Sequence, residues 1–424
     1  MKTGTNQPAP IKGTNRIAYL DILRGIAIFF ILCANIVYFS GYFDYPIENR
    51  LGSAFFIIDD YFELIMYTLV DGKFYSIFSL LFGIGCVIQY KNLKKHNKPF
   101  AQFFRRRMLW LLMIGLIHLI FLWMGDILTL YAILGLTLIW FVNLSNSQLL
   151  KYAVILILLP IVNWLIINAI GWNYPLYFYD LNLQYNQSLG LPISEWQGVL
   201  MTDFIAYLES NSLLDFFKVN IGNAIIRLAD ILNEGRAFKV LGIFLIGLWA
   251  GRKILDENIL DNTSFLKKVA IWGICIGLPI SIIRTGITYF SNHDIFWSLM
   301  KTLSYAFGTV PLAIGYVALL ALLYKKRNTF LKWFAPVGKM ALTNYLLQTL
   351  LATTLFYGIG FGFVGKFGYT LNIGIAVIIF SLQVVCSKWW LKTHQFGPME
   401  WIWRQLTYGK RIKNKIGLIS FKTK

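Results

Sequence analysis

The sequence predicts an all-α protein: a polytopic integral membrane helical bundle of about ten transmembrane helices, with additional interfacial or amphipathic helices. Three observations predict this fold class. Of the 424 residues, 57% are hydrophobic and only 14% are charged, and the mean hydropathy is +0.60, which excludes a soluble globular domain. Apolar runs of membrane-spanning length recur along the chain. Basic residues concentrate in the short segments between these runs.

The apolar runs give the predicted number of spans. Crossing a bilayer takes about 17–25 consecutive apolar residues. Such runs lie near 17–41, 73–90, 105–124, 127–144, 149–171, 236–251, 267–290, 299–323, 334–358 and 371–392. The stretch 54–70 is predicted to be an interfacial or re-entrant helix instead. It carries three carboxylates, and a crossing there would place neighbouring basic clusters on opposite sides of the membrane.

The excess of basic residues is typical of cytoplasmic loops rather than of nucleic-acid binding. The chain holds 39 Lys and Arg against 20 Asp and Glu, a net charge of +19. The bases form short clusters between apolar runs, where they face anionic lipid. Every cluster agrees with one topology, in which both termini are cytoplasmic. The four cysteines lie in apolar segments without regular spacing, so no disulfide framework and no metal site are predicted.

Charge and hydropathy divide the chain into five predicted segments. Residues 1–16 form a cytoplasmic tail, and the N-terminal transmembrane half covers 17–171. An extracytoplasmic segment covers 172–235, and the C-terminal transmembrane half covers 236–408. Residues 409–424 form a basic cytoplasmic tail that is predicted to be disordered.

The extracytoplasmic segment has an amphipathic helical pattern between residues 200 and 232. Its apolar residues recur at helical spacing, at Leu214, Phe217, Ile221, Ile225, Leu228 and Leu232. The other face carries polar residues, at Lys218, Asn220, Asn223, Arg227 and Asp230. This pattern favours one or two helices on the outer membrane surface over a lipid-facing span, although the sequence leaves insertion open.

Charged residues at the start of the first apolar helix mark one candidate site. Arg16, Asp21 and Arg24 lie at the threshold of the hydrocarbon core. Charge there is costly unless it faces protein or a bound ligand. Asn35 follows Arg24 by eleven residues, so it lies on the same helix face about 16 Å further along. The alternative is structural, with Asp21 paired to an arginine and Asn35 bonded to a neighbouring helix.

The second candidate site is His118, the one histidine of four that lies deep in an apolar run. An imidazole is the side chain best suited to move a proton near neutral pH. Packing is the alternative role. Asp126, in the turn that follows, is expected to cap the next helix, to orient His118, or to do both.

The predicted topology sorts the polar residues into two layers. The outer layer holds Asn35, Asp71, Lys73, His118, Asp126 and Arg236. The inner layer holds Arg16, Asp21, Arg24, Arg105 to Arg107, Glu400 and Arg404. Asn344 and Gln348, one turn apart on one face, are expected to line a shared cavity. Snorkelling of long basic side chains explains part of either layer without any function.

Motifs spread over nearly the whole chain resemble the YeiB-like membrane proteins, a bacterial family classed as a domain of unknown function (DUF418). The N-terminal motifs are Leu20-Asp21, Leu23-Arg24-Gly25, Gly72-Lys73-Phe74, Phe82-Gly83, His118 and Gly125-Asp126. The C-terminal motifs are Arg236, Gly247, Gly251-Arg252, Gly338, Thr343-Asn344-Tyr345, Gly397-Pro398 and Glu400-Trp401. The resemblance implies a multi-pass bacterial cell membrane protein.

The opening motif is also similar to that of the transmembrane acyltransferases, which carry an acyl group from cytosolic acyl-CoA to an acceptor across the membrane. In the sugar O-acetylating branch, a histidine follows the Arg-Gly pair by ten residues and acts as base. Here that position is Asn35, as in the branch of heparan glucosaminide N-acetyltransferase. That branch also uses a histidine further along, but residues 38–50 contain none. His118 would then have to supply the base.

This resemblance implies an acyltransferase in which each polar layer has a role. The donor acyl-CoA would be held through its phosphates by Arg16, Arg24, Arg105, Arg106 and Arg404. The catalytic residues would be His118 as base, Asp126 as its partner and Asn35 at the oxyanion. The extracytoplasmic acceptor would be bound by Asp71, Lys73, Arg236, Asn344 and Gln348.

Two other functions remain open at the level of sequence. A transporter or channel for a small solute would use His118 and Asp126 as a proton relay, although no repeat relates the two halves of the chain. A non-enzymatic scaffold or sensor would need the polar residues only for packing. The sequence does not predict the acceptor or the acyl group. It leaves the oligomeric state open, including a homo-oligomer. Membrane lipids are the expected surroundings, and nucleic acid is not an expected partner.

Overall fold

The computed structural model describes residues 17–46, 48, 55–196, 199–292, 294–326 and 329–416. These residues form helices and one short antiparallel hairpin, β1 (Ile193–Trp196) with β2 (Val199–Thr202). The helices of the first half are α1 (Ala18–Phe39), α2 (Phe56–Leu69), α3 (Lys73–Lys95), α4 (Phe100–Phe121), α5 (Leu128–Phe141), α6 (Asn146–Trp164), α7 (Leu176–Ser188) and α8 (Phe204–Glu209). Those of the second half are α9 (Leu213–Asn233), α10 (Arg236–Asp256), α11 (Thr263–Phe290), α12 (Ile295–Lys325), α13 (Ala335–Lys339), α14 (Ala341–Phe356), α15 (Tyr369–Trp390) and α16 (Pro398–Tyr408).

The predicted all-α membrane bundle is confirmed, and each of the ten predicted runs contains a helix. Within the described residues, six segments are long and apolar enough to cross a membrane. They are α1, α2 with α3, α6 with its terminal π-turn, α11, α12 and α15. Helices α5 and α14 are shorter than this length, and α4 and α10 carry additional basic residues.

Helix α2 covers the stretch that was predicted to be interfacial. Its 14 residues rise about 21 Å, less than the roughly 30 Å of a hydrocarbon core. The Asp59 carboxylate accepts a hydrogen bond from the Thr370 backbone at 2.8 Å, at the start of α15. Thr68 and Thr285 share a 2.7 Å hydrogen bond. The left-handed Gly72 (φ 79°) then turns the chain into α3, so α2 lies beside the ends of its neighbours.

Contacts between helix ends gather the basic clusters at one end of the bundle, called the basic end below. Lys91 at the end of α3 pairs with Asp256 at the end of α10. Arg252 donates a 2.7 Å hydrogen bond to the Leu144 carbonyl, between α5 and α6. The predicted sorting of basic clusters to one face is therefore present in the fold.

Helix α1 is the central element, packed against α3, α13, α14 and α15. The α1 backbone touches the backbone of α13 and of the turn that precedes α13. A Cβ added at Gly25 would lie 2.0 Å from the Phe334 carbonyl oxygen, and one at Gly338 would lie 1.8 Å from that of Asp21. Any larger residue at either position would separate the two segments.

Helix α9 forms most of the amphipathic segment and buries its polar face. Asn220 and Asn223 are fully buried, while Leu214 is 64% exposed. Phe217 packs on Phe121 at the end of α4, so α9 lies across the end of the bundle opposite the basic end. The helix therefore covers a polar interior.

The tail after Tyr408 is also more ordered than the prediction. Asn414 accepts a 2.8 Å hydrogen bond at its backbone carbonyl from the Gln395 amide and a 3.0 Å bond at its side chain from the Phe396 amide. The Trp401 indole donates to the Ile412 carbonyl at 2.7 Å. Residues up to 416 thus pack back on the chain, while 417–424, like 1–16, lie outside the described residues.

Two glycine substitutions should have opposite outcomes, one at the close contact of α1 and one at an open position of α15. Gly25→Ala should destabilise the protein by about 1–3 kcal/mol, because its methyl group has no room beside Phe334. Gly374→Ala in α15 meets nothing within 4 Å and should be neutral or stabilising by up to about 1 kcal/mol. Thermal unfolding in detergent measures both, and equal effects would contradict the close approach.

Candidate functional site

Two large cavities lie end to end inside the bundle. The first, called the basic cavity, has a volume of about 320 Å³. Its basic wall carries Arg24, Arg107, Lys339 and Arg404, beside the acids Asp21 and Glu400. The rest of its lining is mainly apolar, including Ile28, Phe78, Leu81, Phe82, Met108 and Leu111.

The second cavity, called the tyrosine cavity, lies towards the other end and has a volume of about 440 Å³. Its lining includes the tyrosines Tyr38, Tyr67, Tyr75, Tyr207, Tyr289, Tyr305, Tyr345, Tyr357 and Tyr369. It also carries the acids Asp44, Glu63, Asp71, Asp230 and Glu234 and the bases Arg227 and Arg236. Both volumes are in the range typical of small-molecule sites.

The two cavities share three lining residues, Ile31, Ile127 and Tyr345, called the septum below. These come from α1, from the turn before α5 and from α14. The two cavities therefore meet at these three side chains.

Arg24 and Arg107 shape the basic wall in different ways. Arg24 donates a 3.0 Å hydrogen bond to the buried Asp21 carboxylate, one turn before it. The guanidinium of Arg107 lies 3.5 Å from the ring centroid of Trp403, whose indole donates to the Arg107 carbonyl at 2.9 Å. Among the described residues, no carboxylate pairs with Arg107. This arrangement suits a bound anion.

The structure corrects the predicted arginine set. Arg105 and Arg106 are exposed and line neither cavity, whereas Arg107 lines the basic cavity. One residue along a helix turns the side chain by about 100°. The signal was available in the sequence, because Arg107 shares a helix face with the apolar Phe104 and Leu111. Arg24 and Arg404 line the cavity as expected, and Arg16 lies outside the described residues.

Glu400 fixes the start of α14 beside the basic cavity. Its carboxylate accepts hydrogen bonds from the Leu342 and Thr343 backbone amides at 2.6 and 3.1 Å, and from the Thr343 hydroxyl at 2.6 Å. Burial raises the pKa of this carboxyl above its usual value, although the hydrogen bonds oppose the shift. Glu400 thereby supplies partners that the first turn of α14 lacks, and it orients the helix that carries Tyr345.

Asn35 lines the tyrosine cavity on the same helix as Ile31, one turn beyond it. Its side chain makes no hydrogen bond with another described residue. The alternative role of Asn35 as a bond between helices is therefore absent from this structure. Its amide is available to a ligand in the cavity, close to the septum.

His118 lines neither the basic cavity nor the tyrosine cavity. The ring is fully buried, and both nitrogens are engaged. Because the Asp126 carboxylate is an acceptor, Nδ1 carries the proton and donates to it at 3.0 Å. Nε2 then accepts from the Thr349 hydroxyl at 2.9 Å. The imidazole joins α4 to α14 and lies beside the Tyr345 ring, with 5.1 Å between centroids.

Asp126 has both of the roles that the sequence suggested. Besides its bond to His118, it accepts from the backbone amides of Leu128 and Thr129 at 3.1 and 2.7 Å, at the start of α5. The carboxylate thus holds the His118 ring and both backbone amides in place. Asp126 thus fixes the turn that carries the septum residue Ile127.

Three further predicted site residues are structural in this fold. Gln348 donates to Gln383 at 2.9 Å, and Asn344 donates to Ser387 at 3.0 Å, so both join α14 to α15. Lys73 is fully buried and donates to the Tyr67 carbonyl at 3.3 Å. None of these three lines either cavity.

Asp71 and Arg236 line the tyrosine cavity as predicted, each in an ion pair. Arg284 donates to Asp71 at 2.7 Å, and Arg236 pairs with Glu234 at 2.5 Å. Sequence reasoning missed Arg284, although an arginine within the apolar run 267–290 was a visible signal. It also missed the tyrosine lining, whose members come from elements far apart in the chain. The described residues contain no group of His, Cys, Asp or Glu placed to hold a metal ion.

Comparisons with known proteins identify relatives that extend over almost the whole chain. The family model described as "Protein of unknown function (DUF418)" matches residues 250–410. The "Uncharacterized protein YxaH" of Bacillus subtilis (strain 168) is 30% identical over 413 residues, covering 94% of this chain and 96% of that protein. The "Uncharacterized protein YeiB" of Escherichia coli (strain K12) is 28% identical over 407 residues, with coverages of 92% and 95%.

A third relative has the same extent. The "Uncharacterized 39.9 kDa protein in amylase 3'region" of Bacillus acidopullulyticus is 27% identical over 406 residues, with coverages of 95% and 97%. The chain belongs to the DUF418 family of YeiB-like membrane proteins.

Proposed function

We propose that this protein transfers an acyl group from acyl-CoA in the basic cavity to a hydroxyl or amine acceptor in the tyrosine cavity. The observation that carries the proposal is the shared septum of Ile31, Ile127 and Tyr345. A basic, largely apolar chamber and a polar, aromatic chamber meet there with one layer of side chains between them. Two reactants of opposite character can therefore reach the same point from opposite ends.

The dimensions of α1 fit the donor. Arg24, Arg107 and Arg404 would hold the phosphates of CoA through charge-assisted hydrogen bonds. From Arg24 to Asn35 the helix rises about 16 Å. The pantetheine arm has about 13 bonds between phosphorus and sulfur, and at the reach of an extended backbone these span about 15 Å. A donor anchored at the arginines would present its thioester near Asn35.

The reaction is a displacement at the thioester carbonyl. The acceptor oxygen or nitrogen attacks the carbonyl carbon, the C–S bond breaks, and the acceptor proton balances the departing CoA thiolate. The Asn35 amide, one turn from the septum residue Ile31, is the donor that would stabilise the oxyanion, whereas the Tyr345 hydroxyl already donates to the Gly125 carbonyl at 3.4 Å. The arm reaches this point only after side chains of the septum change rotamer, which also keeps the two cavities closed to each other at rest.

His118 and Asp126 have a positioning role in this proposal. His118 reaches neither cavity, and its hydrogen bonds to Asp126 and Thr349 hold α4 and α14 together beside Tyr345. It therefore sets the position of the Tyr345 ring rather than taking the acceptor proton. This differs from the base that the sequence resemblance implied.

Transport of a small solute is the alternative use of two cavities that meet at one septum. The two functions are separated by reconstituting the protein in liposomes. Acyl transfer predicts CoA release from acetyl-CoA that depends on an added acceptor, with ethanolamine, glucosamine and glucose as probes. Uptake of these solutes without acetyl-CoA, and no CoA release, would instead assign the protein to the transporters.

Substitution of Arg107 should weaken binding of CoA. Arg107→Gln removes a positive charge from the basic cavity, and no carboxylate of the described residues neutralises that charge. The dissociation constant of CoA should therefore rise about ten- to a hundredfold. Titration calorimetry with CoA on the detergent-solubilised protein measures the change. Arg105→Gln, two residues away and exposed, is the matched control and should bind within twofold of the unmodified protein. Equal losses in both variants would contradict the donor site.

Substitution of Asn35 should slow transfer and leave donor binding intact. Asn35→Ala removes an amide at the proposed reaction point, and loss of one oxyanion donor typically lowers the rate about a hundredfold. The affinity for CoA should stay unchanged, because the phosphates bind about 16 Å away. An Asn35→Ala protein with full transfer activity would rule out this reaction point.

Substitution of Asp126 should destabilise the fold without changing the pH dependence of transfer. In Asp126→Asn, an amide NH2 group replaces one carboxylate oxygen that now accepts hydrogen bonds from N–H groups. This substitution should lower the free energy of unfolding by about 1–3 kcal/mol. Asp215→Asn, at an exposed ion pair with Lys218, should have little effect. A shifted pH–rate midpoint in the Asp126 variant would show that the His118 imidazole takes part in proton transfer after all.

A further inference from the structure

One corner of the tyrosine cavity combines a carboxylate with aromatic rings. Glu63 of α2 accepts hydrogen bonds from the Tyr289 hydroxyl at 2.6 Å and from the Tyr42 hydroxyl at 3.0 Å. Glu63, Tyr289, Tyr38 and Tyr369 all line the cavity. We call these four lining residues the aromatic corner. Two tyrosine hydroxyls thus hold the carboxylate in place beside the cavity.

The aromatic corner lies where several helices end. Tyr38 is near the end of α1, Tyr289 near the end of α11, and Tyr369 is the first residue of α15. Tyr38 is 56% exposed and Tyr289 is 36% exposed, whereas Tyr369 is buried. The corner is therefore at the mouth of the cavity, where a ligand can enter without passing the septum.

Within the described part of the cavity wall, the ion pairs involve carboxylates other than Glu63. Asp71 is neutralised by Arg284, and Glu234 is neutralised by Arg236. Among the described residues, no Lys, Arg or His forms an ion pair with Glu63. An ionised carboxylate in a partly buried aromatic setting gains most from a positively charged ligand.

Tyrosine rings next to the aromatic corner show how rings of this cavity bind cations, because Tyr67 packs on Tyr289 with 5.3 Å between ring centroids. The Arg284 guanidinium lies 4.4 Å from the ring centroids of both Tyr67 and Tyr305. Lys239 lies 3.1 Å from the Tyr305 centroid, on a buried side chain whose ammonium group has no hydrogen-bond partner. There, cations of the chain itself cover the rings. Within the described residues, no cation covers a ring of the aromatic corner.

We infer that the aromatic corner binds an organic ammonium group, either a protonated amine or a quaternary ammonium ion. The ring faces of Tyr38, Tyr289 and Tyr369 supply the cation–π contacts, and Glu63 supplies the opposite charge. A solvated metal ion fits less well, because the corner offers one carboxylate and phenol groups rather than a cage of oxygen ligands. If the proposed transfer takes place, this group anchors the acceptor, but the binding itself requires no acyl donor.

The test compares the binding of choline with that of its isostere 3,3-dimethylbutan-1-ol, in which an uncharged carbon replaces the choline nitrogen. Both ligands are added to the purified full-length protein without acetyl-CoA. Choline should raise the melting temperature and bind in titration calorimetry, and the isostere should bind at least tenfold more weakly. Equal binding of both, or no binding of choline, would overturn the inference. The acyl-transfer proposal is untouched by either result, because CoA binding and CoA release are measured separately.

Two variants locate the site. Glu63→Gln should weaken choline binding about tenfold, while Asp60→Asn, exposed on the same helix, should leave it unchanged. Tyr289→Leu keeps the Glu63 charge but removes a ring, and it should weaken binding about fivefold. Each variant is first shown to unfold cooperatively in detergent, which separates loss of the site from misfolding. Choline binding that survives both Glu63→Gln and Tyr289→Leu would place the ligand elsewhere and overturn the assignment.

Discussion

The cost of placing polar groups among apolar helices governs this structure. In hydrocarbon, a charge or an unpaired amide has no water to replace a missing partner. Asp126, Gln348 and Asn344 meet this requirement through hydrogen bonds inside the bundle. Arg107 and Asn35 meet it by facing an enclosed cavity. The distinction between these two groups separates the residues that hold the bundle together from those that are available to a ligand.

The sequence predicted the helices and the sorting of charge because both depend on local composition. Helix periodicity placed Arg24 and Asn35 on one face of α1, and these residues line the two cavities. The sequence could not predict the partners of His118, because Thr349 is 231 residues away in the chain. For a related reason, it could not predict that the polar face of α9 is buried. Amphipathicity shows that a helix has two unlike faces, and only the neighbours decide which face is buried.

The relatives share the length of this chain but carry no described activity in their names. The physical features of the two cavities are therefore the basis for assigning a role. One end offers cationic and apolar surfaces, as an anionic thioester donor requires. The other offers tyrosines and carboxylates, which suit a polar or cationic molecule.

The thinness of the septum has an electrical consequence. Water in both cavities would conduct ions far better than packed side chains do, so most of the membrane voltage would fall across Ile31, Ile127 and Tyr345 rather than across the full width of the bilayer. Moving one elementary charge through a drop of 100 mV involves about 2.3 kcal/mol. The voltage does no work on a neutral acyl group that crosses this layer. An ion that crosses it gains or loses this energy, depending on its direction in the field. The cell's voltage would accordingly leave the passage of an uncharged group unaffected while it governs any leak of ions.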